Sequence, residues 1–235
     1  MENEIEQIVA QFWEEYEKDE FEIAEKISAE ILSKFPDMGV GHYCKGHLLL
    51  MKRDYDTAFS CFDAALKGIG TDRFKSFVTF WIGQIYSTWD FPDNNPLYDN
   101  KKAEKCYLDV LNYEEYPIDV IFQLRTYFYA NPEFGIKKIE DSISKFPNEI
   151  NLHILLAKLF HDRYNDIQKY ITILLSVNES QNKNIDIVTL IAEHYYLERD
   201  FEKSKAYYDE ALALIEEDNN IGGYIRFQLG VSICQ

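Results

Sequence analysis

Apolar residues recur at helical spacing along almost the whole chain, in short windows separated by polar turns. The clearest window opens at Asp54. Tyr55, Ala58, Phe62 and Ala65 follow at three- and four-residue steps, so they share one face of a helix. Three segments open alike: Glu20-Phe21-Glu22-Ile23-Ala24, Asp54-Tyr55-Asp56-Thr57-Ala58 and Asp200-Phe201-Glu202-Lys203-Ser204. Each places an acid, an aromatic, a second acid, one further residue and a small residue in order. The first acid is suited to cap a helix by accepting a backbone N–H at the positive end of the helix dipole. The small residue lets a second helix approach closely, and Tyr208 and Ala211 repeat the positions of Phe62 and Ala65.

Weaker copies follow once this frame is set. Asp99, Ala103, Tyr107 and Val110 mark one. Asn131-Pro132 opens another, with Pro at the first helical position and Gly135 as the small residue. The most divergent runs from Arg163-Tyr164 through Ile167, Ile171 and Leu174, without a cap at the expected position. The start points are 20, 54, 99, 131, 163 and 200. Each of these helices is preceded by another amphipathic stretch, at about 4–17, 40–52, 75–88, 117–129, 149–162 and 184–198. Gly46 and Gly83 fall where the two helices of a pair would cross closely. A further amphipathic segment at 220–234 carries Leu229-Gly230 and reads as a terminal helix.

The array resembles the tetratricopeptide-repeat (TPR) family, a 34-residue helix–turn–helix unit with small residues at fixed positions. The second repeat carries the resemblance best, with Gly46, Ala58, Phe62 and Ala65. The first keeps Ala24 and Pro36, and the sixth keeps Ser204, Tyr208 and Ala211. The resemblance implies an all-α fold, a right-handed α-α superhelix of six helix pairs plus a C-terminal helix. The expected organisation is one repeat domain over 1–235, with repeats at about 4–36, 39–70, 75–113, 116–147, 149–179 and 184–217 and the terminal helix at 220–234.

The resemblance also implies that the first helices of the pairs line a groove that holds a peptide or extended segment. Projection of the helices onto that face gives Trp13, Tyr16, Tyr43, His47, Phe77, Phe80, Gln84 and Tyr127 as groove residues. Members that bind acidic tails carry a Lys and Arg clamp on such positions. None of these residues is Lys or Arg, so an aromatic groove for an apolar or amphipathic segment is expected instead. An insertion at 89–100 separates the third pair's helices. Its Trp89, Phe91 and Tyr98 are candidate partner contacts.

Composition narrows the function classes. The 235 residues carry 24 Lys and Arg against 41 Asp and Glu, a net charge of −17. Nucleic-acid backbones and anionic membranes are poor partners for such a surface. The acids are concentrated at the start: residues 1–37 hold 12 acids and 3 bases. That charge suits either a solvated outer face or a docking surface for a basic protein. No run of apolar residues reaches the ~18 that a membrane helix needs. The N-terminus lacks the basic-then-apolar order of an export signal, so a cytoplasmic location is expected. Cys44, Cys61, Cys106 and Cys234 form no C-x-x-C pair and read as reduced thiols.

Catalytic and cofactor chemistry find little support. His42 and His47 do not share one helical face, and His153, His161 and His194 lack companions at metal-ligand spacing. The 89–100 insertion lacks the alternating ligands of a calcium loop. No metal, cofactor or catalytic residue is therefore expected. The expected role is a protein-binding adaptor, scaffold or sensor subunit. The alternative is an acidic, immunity-type inhibitor of one basic protein. The terminal helix is also a candidate surface for self-association.

Overall fold

The computed structural model describes residues 2–87, 95–180 and 183–214. The terminal segment 220–234, Cys234, Trp89 and Phe91 lie outside the described residues. Among the described residues the protein is all-α, with thirteen helices and no strand beyond an isolated bridge. They form antiparallel pairs of the expected kind. The chain divides into two compact units, residues 1–125 and 126–235.

The first unit holds α1 (Glu2–Glu17), α2 (Phe21–Lys34), α3 (Gly39–Met51), α4 (Tyr55–Lys67), α5 (Asp72–Tyr86), α6 (Asn100–Val110) and the short α7 (Asp119–Gln123). The cap signals explain several starts. The Asp54 carboxylate accepts from the Thr57 N–H at 3.2 Å, and Asp99 accepts from Lys101 and Lys102 at 3.1 and 3.2 Å. Thr71 Oγ1 accepts from the Phe74 N–H and so starts α5. Glu20 departs from the expectation, because its side chain makes no cap hydrogen bond.

Packing follows the small-residue frame. Ala24, Ala58, Phe62, Ala103 and Tyr107 are all buried. A Cβ on Gly46 would stand 2.9 Å from the Phe62 ring, and one on Gly83 would stand 2.6 Å from the Tyr107 ring. Both glycines therefore sit at close crossings within a pair. The turns before α3 and α5 are tied together by two hydrogen bonds, Gly39 N–H to Ile69 O at 3.0 Å and Ile69 N–H to Asp37 O at 2.8 Å. At the end of the insertion, buried Asn95 donates from its amide to the Ile85 carbonyl, and Asp99 N–H bonds Tyr86 O at 2.9 Å. Asn95 thus satisfies a carbonyl that the end of α5 leaves without a helical donor.

The second unit contains α9 (Pro132–Lys145), α10 (Ile150–Tyr164), α11 (Ile167–Ser180), α12 (Ile185–Leu197) and α13 (Phe201–Ala213). The helix expected at 117–129 is broken into α7 and α8 (Arg125–Ala130), and the division between the units falls there. Pro132 takes the first position of α9 as expected. The fifth pair corrects the sequence reading. α10 runs on through Tyr164, Asn165 turns left-handed, and Asp166 caps α11 by accepting from Lys169 N–H at 2.9 Å. Ala157, Ile171, Leu174, Ile187 and Ile191 form one core cluster, while Ala192, Tyr208 and Ala211 belong to the next.

Candidate partner-binding cleft

The expected groove residues separate into two sets. Tyr43, His47, Phe80 and Gln84 are buried. Trp13, Tyr16, Phe77 and Tyr127 are half-buried. Tyr127 belongs to the second unit, where its ring meets Phe134 at 5.9 Å. Phe80 faces α6 rather than open space, with its ring 5.8 Å from Tyr107. Tyr98 of the insertion is exposed.

His47 lies at the centre of an aromatic cluster. Its ring is 4.4 Å from Trp81, 4.6 Å from Tyr43, 5.0 Å from Trp13 and 5.4 Å from Phe62, all edge-to-face. Its Nε2 is buried without a hydrogen-bond partner among the described residues. Burial pushes the imidazole pKa from 6.5 down to about 3, so the ring is neutral at pH 7. Burial also pushes the Tyr43 phenol well above its ordinary value. His47, Trp81 and Phe62 thus belong to a packed wall and do not line the cleft on its outer side.

The outer side of that wall is a cleft of about 390 Å³ lined by Trp13, Tyr43, Thr71, Arg73, Phe74 and Phe77. It draws on α1, α3 and the start of α5. Three residues expected in the groove, Trp13, Tyr43 and Phe77, come together here. Thr71, Arg73 and Phe74 were not foreseen, because α5 begins at Asp72, earlier than the expected 75. One basic residue therefore reaches the site, although the projected positions held none. Arg73 is 70% exposed and lies 3.5 Å from the Glu115 carboxylate. The cleft thus presents four aromatic rings beside a paired guanidinium.

Titratable groups elsewhere fit structural roles. Burial pushes the Cys44 thiol up to about 12 and Cys106 to about 11, so neither is an activated thiolate. Among the described residues, no group of three His, Cys, Asp or Glu side chains is placed to hold a metal ion. No helix there is long and apolar enough to cross a membrane.

No family model matches the chain, and no curated protein matches its sequence. Solved structures do match its backbone. PilF of Pseudomonas aeruginosa superposes with a TM-score of 0.63 at 12% identity, covering 97% of this chain and 98% of that one. The C-terminal part of a TPR-containing protein from Cytophaga hutchinsonii gives 0.60 at 13% identity, covering 87% and 78%. The fold is the tetratricopeptide repeat. YrrB, described as a TPR protein with an unusual peptide-binding site, gives 0.56 at 13% identity over 85% of this chain and 97% of its own. At such identities the likeness is one of TPR architecture alone.

Proposed function

We propose that this TPR chain is a non-catalytic protein-interaction module, an adaptor, scaffold or sensor subunit. It takes an apolar or amphipathic segment of a partner against the cleft of the first unit. The observation that carries this reading is the opening of Trp13, Phe74 and Phe77 beside Tyr43 into one cleft. Aromatic side chains offer large contact area at small cost in rotamer freedom, which is why they anchor binding sites. The cleft is lined by the first helices of three pairs, the side that in YrrB's fold class serves as a groove. That YrrB is described as having a peptide-binding site supports the reading as an analogy.

The test uses peptides selected from a random library on the full chain. Phe77→Ala should weaken the selected peptides at least about tenfold, the range of a central interface anchor. Phe134→Ala, an exposed ring in the second unit, should leave binding unchanged. Equal affinities for the two variants would move the binding site away from the cleft.

A second reading, an acidic immunity-type inhibitor of a basic protein, is favoured by the 12 acids and 3 bases of residues 1–37. It calls for a large folded partner and an affinity that falls steeply with salt.

A further inference from the structure

We propose that the segment bound in the cleft is cationic: an amphipathic helix that seats an apolar anchor against Trp13 and sets a lysine or arginine on either side of it. The inference rests on the reading of the cleft as the binding site and specifies the chemistry of its occupant.

The observation is the stripe of α1 that continues past the cleft. At 3.6 residues per turn, Glu6 and Glu17 fall within about 40° of the Trp13 direction, seven residues before it and four after. Both carboxylates are exposed, and neither is in an ion pair among the described residues. Ala10, also exposed, lies on the same side between Glu6 and Trp13 and leaves room for an approaching backbone. The adjoining face of α1, about 80–100° round the helix from Trp13, is committed to the core through Ile5 and Phe12.

Charge around the stripe has one sign. α1 from Glu2 to Glu17 carries six acids and no base. The basic neighbours are already engaged. Lys18 pairs with Glu14 and Glu15, and Lys34 pairs with Glu4 and Glu30. Arg73, the one cation in the cleft lining, lies against Glu115. Glu6 and Glu17 therefore stand as uncompensated charges bracketing an aromatic anchor. The two lie 11 residues apart on one helix, a separation of about 16 Å at 1.5 Å per residue. A partner helix lying along α1 meets both if its bases carry the same spacing around its own apolar residue. An acidic or neutral segment would leave both carboxylates facing like charge or nothing, which lowers selectivity for it.

The probe is a synthetic amphipathic helical peptide with a central Phe, leucines at helical spacing beside it, and lysines seven residues to one side and four to the other. Its analogue replaces both lysines by glutamine. Fluorescence anisotropy of labelled peptides measures binding to the full chain. The lysine peptide should bind about tenfold more tightly than the glutamine peptide at low salt, and the difference should shrink as ionic strength rises. Glu6→Lys with Glu17→Lys should cost the lysine peptide about tenfold. Glu140→Lys with Glu202→Lys changes net charge equally on helices that do not line the cleft, and should cost less than about twofold. Trp13→Ala should weaken both peptides. Phe77→Ala replaces it if circular dichroism shows that Trp13→Ala has lost helix. Equal binding of the two peptides, or equal loss from the two charge reversals, overturns the cationic inference. If the aromatic variants still weaken both peptides, the cleft reading survives that result. Binding of neither peptide, or binding indifferent to Trp13 and Phe77, overturns both.

Discussion

At the scale of single residues, His47 carries the sharpest expectation. Its folded pKa, about 3, lies below the ordinary 6.5 because burial disfavours the charged ring. Between those values the unfolded chain binds a proton that the folded chain refuses. Stability contributed by the neutral ring is therefore full above about pH 6.5 and declines as pH falls toward 3, by up to about 1.4 kcal/mol per pH unit. Asp99 and Asp200 act in the same direction. The Lys102 backbone N–H holds the first carboxyl low and the Lys203 ammonium holds the second. His47→Phe removes the histidine component and leaves those carboxylates in place. Urea unfolding at pH 7 and pH 4.5 should show a smaller acid loss in His47→Phe than in the parent. Equal losses would mean that the imidazole is already accommodated as a cation. The burial of His47 was hidden in the sequence for a simple reason. Periodicity assigns a residue to a stripe, and in a repeat array the first helix of each pair touches neighbours on two sides. Tyr43 and Gln84 shared that ambiguity, whereas Trp13 stays half-buried and lines the cleft.

At the scale of elements, the turn between the helices follows one scheme in four of the pairs. Asp19, Arg53, Asn165 and Arg199 have φ of 61°, 59°, 51° and 62°, and each immediately precedes the residue that opens the second helix. The next N–H reaches back to a carbonyl five or six residues earlier, as in Asp54 N–H to Leu49 O at 2.9 Å and Asp200 N–H to Tyr195 O at 2.9 Å. This left-handed cap followed by an acid both ends one helix and starts the next. Arginine is a strained occupant of that conformation. Arg53→Gly and Arg199→Gly should each raise stability by up to about 1 kcal/mol, since glycine adopts it without a Cβ penalty. A lower melting temperature in both would show that the arginine side chains contribute more than the strain costs. Gly83→Ala should act oppositely, costing about 1–3 kcal/mol, because its Cβ would meet the Tyr107 ring at 2.6 Å. Thermal unfolding measures each variant.

The sequence showed most of these elements because their start signals are local. Asp54, Asp99 and Asp200 cap where an acid precedes an apolar stripe. Asp166 escaped notice because α10 extends to Tyr164 and moves the turn by a few residues. The break at Leu124 escaped for a different reason. No Pro or Gly marks it, and the residue is 1% exposed, so tertiary burial sets the chain path there.

At the scale of the whole molecule, charge dominates. A net charge of −17 is spread over a surface whose ion pairs are largely exposed, such as Lys18 with Glu14 and Lys205 with Asp209. Pairs of that kind contribute little, about 0–1 kcal/mol each. Repulsion among the remaining acids should therefore outweigh them, and salt should stabilise the fold by screening it. Melting temperature should rise between about 10 and 300 mM sodium chloride. A fall would show that the surface pairs act as a cooperative network. Of the candidate site, the aromatic character and the acidic first repeat were legible in composition and spacing. The cleft itself was not. It depends on α5 starting at Asp72, so that Phe74 joins Tyr43 and Trp13.

The pair of hydrogen bonds between Gly39, Ile69 and Asp37 has a consequence for the tempo of recognition. These bonds lock the turn before α3 to the turn before α5, and those two helices supply Tyr43, Phe74 and Phe77 to the cleft. The two walls cannot part without breaking both bonds, so the site is shaped before a partner arrives. Little ordering remains to be done on encounter, and association should be governed by diffusion and charge steering rather than by a slow rearrangement. Differences among partners should then be expressed in how long they stay, through the fit of their anchors against the rings.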